Sequence, residues 1–130
     1  MTNTKTPKRP TKGEVMARLR VWQERLLLHQ FAFSVEFGPD PTEERADADC
    51  AAAPEYMEAH LRFDLKAIPR ARLDAYVRHE LLHCYVEPLA HYAAFLCNGD
   101  KDKLEAVRHF EEELVTNFQR VTGSLAGEAE

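Results

Sequence analysis

The chain has 130 residues, of which 45% are hydrophobic and 30% charged, and its formal net charge is -5 at pH 7. This length fits one domain with one modest core, and the composition is that of a soluble globular protein without the run of roughly 20 apolar residues that a membrane span needs. The acidic balance argues against general nucleic-acid binding, because proteins that hold phosphates usually carry a basic excess.

The N-terminal part begins with a basic segment, followed by one helix and one strand. Residues 1–12 are rich in Lys and Arg and no apolar stretch follows directly, which predicts a disordered basic tail rather than a secretory signal. A single domain is expected over residues 13–121. It opens with an amphipathic helix over 13–30, where apolar residues recur at spacings of three and four. Alternating apolar residues over 31–37 then predict a strand, which the following Gly-Pro pair ends.

Two more strands are expected before the next helix. Residues 45–53 alternate small and charged side chains weakly. Residues 56–65 alternate apolar and polar side chains strongly, which predicts a half-buried strand with a polar outer face. After Pro69 the pattern is helical, and Pro88 should kink or end that helix near Glu87, because proline lacks the N–H group that a helix interior needs.

The C-terminal part of the chain is predicted to be helical. A further helical stretch reaches Cys97, an Asn-Gly-Asp turn follows at 98–100, and apolar residues at helical spacing over 104–121 mark a last amphipathic helix. Residues 122–130 are expected to fray. The whole pattern predicts an α+β fold with an N-terminal helix, a three-stranded, mostly antiparallel sheet, and C-terminal helices.

The cysteines favour a reducing compartment. There are three of them, Cys50, Cys84 and Cys97, and none forms a C-x-x-C pair with another. An odd number without paired spacing suits free thiols better than a disulfide framework or a cysteine-based zinc site. We therefore expect a cytoplasmic protein in which the cysteines are small packing residues.

The stretch His79-Glu80-Leu81-Leu82-His83 is an H-E-x-x-H motif within a predicted helix. Residues four apart in a helix lie one turn apart on the same face, so both imidazoles can reach one ion. This spacing suits a zinc ion (Zn2+), and Glu80 can take a proton from a water molecule beside the metal instead of binding the metal itself. The apolar neighbours predict a buried helix, where these groups need a partner to offset their desolvation.

The last predicted helix offers the third protein ligand that a catalytic zinc site needs. Three glutamates are available there, Glu111, Glu112 and Glu113. Periodicity alone favours Glu111, which has apolar residues around it at helical spacing. Glu112 instead begins an E-x-x-V-x-x-F pattern with Val115 and Phe118, at the edge of the apolar stripe. The residues alone leave both glutamates open as the ligand.

A sheet between helices, then H-E-L-L-H and a later helix with E-x-x-V-x-x-F, resembles the gluzincins, and at this length the minigluzincins and small phage-type metallopeptidases. The resemblance covers residues 13–121 and implies a small zincin-like fold whose C-terminal helix carries the third ligand. It also implies that His79, His83 and Glu112 bind zinc and that Glu80 is the general base.

The resemblance further implies zinc-dependent hydrolysis of a peptide or protein substrate. In zincins the substrate lies antiparallel along an edge strand, which makes the 56–65 strand a candidate peptide cradle. Tyr85, His91 and His109 are candidates for stabilising the oxyanion. The sequence departs from the thermolysin-like pattern at Thr116, where an aspartate would orient a histidine, so the resemblance names no residue for that supporting role.

A second interpretation needs no catalysis. The chain would be a zinc-stabilised binding or assembly module of a phage or mobile element, in which the ion fastens two helices of a small fold. Glu80 separates the two interpretations, because a purely structural site has no use for a general base. Its presence favours the enzyme.

Overall fold

The computed structural model describes residues 8–42 and 46–125, which contain three α-helices and one three-stranded sheet. In chain order the elements are α1 (Lys12–Arg25), β1 (Ala32–Phe37), β2 (Ala48–Ala53), β3 (Glu58–Phe63), α2 (Leu73–Leu96) and α3 (Lys101–Leu125). Short 3-10 turns precede β3 at Pro54–Tyr56 and α2 at Arg70–Arg72. The predicted α+β class is confirmed. Within this described part of the chain, no helix is both long and apolar enough to cross a membrane.

The first helix is delimited by local interactions. Thr11 and Glu14 form a capping box, in which the side chain of each accepts a hydrogen bond from the backbone N–H of the other. The helix ends at Arg25, several residues before its predicted end, because Leu27 adopts a left-handed conformation with a φ of 58°. That turn directs Leu28 back into the core, where it is 3% exposed.

The segment before α1 is anchored to the chain before α2. The carbonyl of Lys8 accepts a hydrogen bond from the backbone N–H of Arg70 at 2.9 Å, Arg9 donates to the carbonyl of Ala67, and Pro10 is buried. Residues 8–12 of the predicted disordered tail are therefore held in place, whereas residues 1–7 lie outside the described residues.

The strand β3 lies in the middle of the sheet, between β1 and β2. It pairs with β1 in parallel and with β2 antiparallel. The turn at Pro54–Tyr56 joins β2 to β3 as an antiparallel hairpin, whereas β1 reaches its parallel register on β3 only through the long connection that includes β2. The sheet is therefore mixed, with one pairing of each kind, rather than mostly antiparallel as predicted.

Alternating apolar residues determine which face of the sheet is buried. The buried face packs with residues of α1 and α2, and in β1 and β3 it carries Phe33, Val35, Phe37, Ala59, Leu61 and Phe63. Glu58 and His60 lie on the opposite, exposed face, as predicted. Arg62 lies there too but is only 4% exposed, because the connection after β1 folds against it. Its Nε donates to Oδ2 of Asp49 at 2.7 Å, and its Nη1 donates to the carbonyl of Gly38 at 2.8 Å.

The helix α2 runs through Pro88, so of the two outcomes predicted near Glu87, a kink or an end, the end does not occur. The residue two positions before the proline, Val86, is buried together with Val115 of α3. We attribute the continuity of the helix to this packing, which compensates for the hydrogen bond that proline cannot donate. The long α2 therefore carries the H-E-x-x-H motif in its middle, facing α3.

The helix α3 packs along α2 and extends beyond its predicted end. Asp100 caps its N-terminus by accepting hydrogen bonds from two backbone N–H groups of the first turn. Residues 122–125 belong to the helix instead of fraying, and residues 126–130 lie outside the described residues.

Candidate metal centre

The middle of α2 presents His79, Glu80 and His83 on the side that faces α3 and β2. The two imidazole rings lie four residues apart, with centroids 5.4 Å from each other and planes inclined by 69°. Glu80 and His83 are each 5% exposed, while His79 is half-buried. The helical spacing therefore brings the two histidines together as the motif predicts.

Glu112 of α3 faces both histidines through its two carboxylate oxygens. Its Oε2 lies 3.2 Å from Nε2 of His79, and its Oε1 lies 3.2 Å from Nε2 of His83. One ligand atom from each of these three residues falls within 4.8 Å of the others, so the group could hold a metal ion. Metal–ligand distances of about 2.0 to 2.2 Å in a tetrahedral site place donor atoms roughly 3.3 Å apart, close to the 3.2 Å that separates each Nε2 atom from an oxygen of Glu112. The residues therefore fit a small divalent ion.

The remaining ring nitrogen of each histidine contacts an oxygen acceptor from α3. Oε1 of Gln119 lies 2.8 Å from Nδ1 of His79, and Oε2 of Glu111 lies 2.6 Å from Nδ1 of His83. Such contacts fix the ring orientation and favour the tautomer whose Nε2 is free to bind an ion. Both Nε2 atoms face Glu112.

Periodicity favours Glu111 as the third ligand and the resemblance favours Glu112, and these two glutamates contact different nitrogens of the histidines. Glu112 contacts the Nε2 atoms of both histidines, whereas Glu111 contacts only Nδ1 of His83. Glu111 also belongs to a second group that could hold an ion, with His83 and Glu87. That group lacks His79, and burial, followed by the hydrogen bond to the carboxyl group of Glu111, raises the pKa of Glu87 to about 7. We therefore assign Glu112 to the candidate ion site and Glu111 to the orientation of His83.

In the thermolysin-like pattern an aspartate at the position of Thr116 would orient a histidine. In this chain a contact of that kind comes from a residue one helical turn further along α3. Gln119 contacts His79 through its side chain, and its backbone carbonyl accepts a hydrogen bond from Nε of Arg78 at 3.2 Å. Arg78 is fully buried, with its guanidinium 5.0 Å from the ring centroid of Trp22 in α1. The orientation of His79 thus depends on packing among all three helices.

Carboxylate contacts stabilise the protonated forms of both imidazoles. Burial disfavours the charged form of His83, yet its hydrogen bonds to Glu111 and Glu112 outweigh this and raise its pKa to about 10. Burial also opposes the charged form of His79, but the hydrogen bond to Glu112 leads a set of interactions that raise its pKa. In turn, the pKa of Glu112 is lowered, most by its hydrogen bond with His79 and next by its hydrogen bond with His83. Without an ion, His83 therefore holds a proton near neutral pH that a metal has to displace, and the protonated form of His79 is favoured in the same direction.

Glu80 is a buried carboxyl group beside the candidate ligands. Burial raises its pKa to about 7, although the charges of His79 and His83 act in the opposite direction. Its Oε1 lies 3.9 Å from Nε2 of His83. A carboxyl group with this pKa can both accept and return a proton near neutral pH.

A cleft of about 250 Å3 opens beside Glu80, between α2, the start of β2 and α3. Its lining residues are Asp47, Ala48, Arg72, Ala75, Tyr76, His79, Glu80 and Gln119. The hydroxyl of Tyr76 donates to Oδ2 of Asp47 at 3.0 Å. Four of these residues were not expected at the site from the sequence: Asp47, Arg72, Tyr76 and Gln119. Helical spacing could have found Arg72 and Tyr76, which precede His79 by seven and three positions, whereas Asp47 and Gln119 carry no such signal.

The three candidates for an oxyanion-stabilising group do not lie at this cleft. The hydroxyl of Tyr85 donates to the carbonyl of Leu26, at the end of α1. Nε2 of His91 lies 2.8 Å from Oε2 of Glu87, and His109 is exposed on α3. Tyr76, by contrast, is a tyrosine that lines the cleft.

The strand predicted to cradle a peptide is not an edge strand. β3 is paired on both sides, so its backbone groups are not available to another strand. β2 has one strand neighbour among the described residues, and Ala48 at its start lines the cleft. The edge that adjoins the candidate metal centre is therefore that of β2.

Comparison with known proteins assigns no family to this chain. No model of a protein family, no curated protein and no solved structure matches it. The candidate site is defined by its own donor set, which consists of two imidazole nitrogens and one carboxylate oxygen.

Proposed function

We propose that this chain is a zinc-dependent metallopeptidase of the gluzincin type, in which His79, His83 and Glu112 hold the ion and Glu80 is the general base. The observation that carries the proposal is the position of Glu80. The residue is 5% exposed, lies beside both histidines, lines the cleft, and is not needed as a ligand. A donor set of two imidazoles and one carboxylate is among those that catalytic zinc sites use, with a fourth position left open.

The residues of the chain transfer the proton, orient the two imidazoles and partly bury the site. When bound, zinc supplies Lewis acidity, which polarises a carbonyl group and makes a water molecule acidic enough to lose a proton near neutral pH. Glu80 accepts that proton and returns it to the leaving amine, a role that its position beside both candidate ligands and the cleft allows. Gln119 and Glu111 hold the two imidazoles in the orientation required for binding.

The substrate backbone has a suitable neighbour in β2. An extended peptide can add to the edge of a sheet through main-chain hydrogen bonds, and β2 is the edge that reaches the cleft through Ala48. A peptide bound there passes close to Glu80. This arrangement replaces the cradle that we predicted on the central strand.

A non-catalytic role for the ion is supported by one observation, the origin of the ligands in two helices. His79 and His83 come from α2 and Glu112 from α3, so an ion would fasten the two together. That role leaves the burial of Glu80 without a benefit, because a buried carboxyl group costs free energy unless it is used or paired. The peptidase accounts for both the ligands and Glu80.

Replacing Glu80 by Gln tests the proposal. Zinc-loaded wild-type protein is incubated with a peptide library prepared from a digested proteome, and new peptide termini are identified by mass spectrometry. We expect Glu80→Gln to keep its zinc and to lose about 100-fold or more of the cleavage rate. Glu113→Gln, at an exposed neighbour of the ligand, is the control and should cleave normally. Cleavage by Glu80→Gln at the wild-type rate, or no new termini from zinc-loaded wild type, would overturn the proposal.

A further inference from the structure

Arg72 places an exposed positive charge at the cleft beside the candidate catalytic group. It precedes Tyr76 by four positions and His79 by seven, so the three share one face of the helical segment. All three line the cleft with Glu80. The positive charge of Arg72 also opposes the rise in the pKa of Tyr76 that burial and Asp47 cause, which is consistent with a guanidinium near the phenol.

The neighbouring arginines are engaged in ion pairs, whereas Arg72 forms none with the acidic groups of residues 8–42 and 46–125. Nε of Arg70 lies 2.8 Å from Oε2 of Glu14, and Nε of Arg18 lies 2.5 Å from Oδ1 of Asp74. No acidic group in the described residues forms an ion pair with Arg72. The acid that shares its cleft, Asp47, accepts the hydrogen bond of Tyr76 instead. The guanidinium is therefore available to a ligand.

The size and charge of the cleft limit what that ligand can be. Pockets for whole drug-sized molecules measure roughly 300 to 1,000 Å3, so a cleft of about 250 Å3 takes a side chain or a chain end. A guanidinium presents paired N–H donors that match the two oxygens of a carboxylate. Asp47 and Glu80 in the same lining disfavour a doubly charged group such as a phosphate.

We propose that Arg72 binds a carboxylate of the substrate peptide next to the bond that is cleaved. In an unmodified peptide this carboxylate belongs to an acidic side chain or to the free C-terminus. The inference rests on the proposed peptidase function, since it names the substrate group that lies beside Glu80. Arg72 is thereby a specificity-determining residue.

Binding of three short peptides to the full-length, zinc-loaded Glu80→Gln protein tests this inference without requiring turnover. Ac-Ala-Ala-Glu-NH2 carries only an acidic side chain, Ac-Ala-Ala-Ala-OH carries only a free C-terminus, and Ac-Ala-Ala-Gln-NH2 carries neither. Affinities are measured by NMR titration up to about 10 mM peptide, with the Nε–Hε signal of Arg72 as a local reporter. The three peptides distinguish the two sources of the carboxylate.

We expect one of the two charged peptides to bind about 10-fold more tightly than the neutral one and to shift the Arg72 signal. Adding Arg72→Gln should abolish this preference, and adding Arg70→Gln should preserve it, because the Arg70 guanidinium is held by Glu14. Equal affinities for all three peptides, no binding of either charged peptide, or a preference that survives Arg72→Gln would overturn the inference.

The two proposals can fail separately. If the wild-type protein cleaves no peptide while the carboxylate preference is found, the peptidase function falls and Arg72 remains a carboxylate-binding residue. If the wild-type protein cleaves peptides and the three probes bind alike, only the role of Arg72 falls.

Discussion

Oε2 of Glu111 lies 2.6 Å from Nδ1 of His83, on the opposite side of the ring from the nitrogen that faces Glu112. One histidine is thus held between two adjacent residues of α3. The carboxylate on the Nε2 side can share an ion with both histidines, and the one on the Nδ1 side orients the ring for that site.

Removing the orienting carboxylate should weaken zinc binding without abolishing it. We expect Glu111→Ala to reduce the zinc affinity of the fully deprotonated site, taken from the plateau at high pH, by roughly 10- to 100-fold, as is usual when a partner of a ligating histidine is lost. Competition with a chelator of known affinity measures the effect. Glu113→Ala, one position beyond the ligand and exposed, should leave the affinity unchanged. Equal affinities of the Glu111 and Glu113 variants would show that His83 needs no support from Glu111.

Zinc affinity should rise with pH well above neutrality. Only a neutral imidazole binds zinc, and the pKa of His83 in the metal-free protein is raised to about 10, so the ion displaces a proton at any lower pH. Each proton displaced makes affinity increase up to about 10-fold per pH unit. Affinity should therefore still increase between about pH 7 and 9, whereas unperturbed imidazoles with a pKa of about 6.5 would give a plateau.

The Glu111→Ala variant is also the control for this pH dependence. Loss of its hydrogen bond lowers the pKa of His83, so the plateau of the variant should begin at a lower pH than that of the wild type. Chelator competition at several pH values gives both curves. A wild-type curve that is flat above about pH 7 would contradict the protonated ligand set.

Arg62 should matter for stability although it lies on the outer face of the sheet. Its guanidinium is 4% exposed and donates to Asp49 and to the carbonyls of Gly38 and Ala46. Arg62→Met leaves these acceptors without their donor, and we expect the free energy of unfolding to fall by about 3 kcal/mol. Urea denaturation followed by circular dichroism measures the loss. Lys66→Met removes an exposed cation nearby and should change it by less than about 0.5 kcal/mol; equal effects would refute the anchoring role.

Local features of the site could be predicted from the sequence because helical geometry is local. The four-residue spacing of His79 and His83 is enough to place both rings on one face, and Glu80 follows as their neighbour. Periodicity also identified Glu111 correctly as the more buried glutamate, with its side chain 14% exposed against 54% for Glu112. Burial, however, does not decide which carboxylate faces the Nε2 atoms.

Features that depend on distant parts of the chain could not be predicted. The central position of β3 follows from a parallel pairing with β1 across the intervening β2, and no local pattern encodes that choice. Asp47 reaches the cleft from the connection before β2, and Gln119 reaches His79 from the far part of α3. The continuity of α2 through Pro88 depends on packing with α3, which outweighs the local effect of proline.

Zinc-edge anomalous diffraction from crystals of the zinc-loaded protein tests the central claim most directly. We expect one strong peak between α2 and α3, about 2.0 to 2.2 Å from Nε2 of His79, Nε2 of His83 and one carboxylate oxygen of Glu112, with Glu80 not bound to it. A peak ligated by other side chains, or no peak among these three at full zinc loading, would contradict the account.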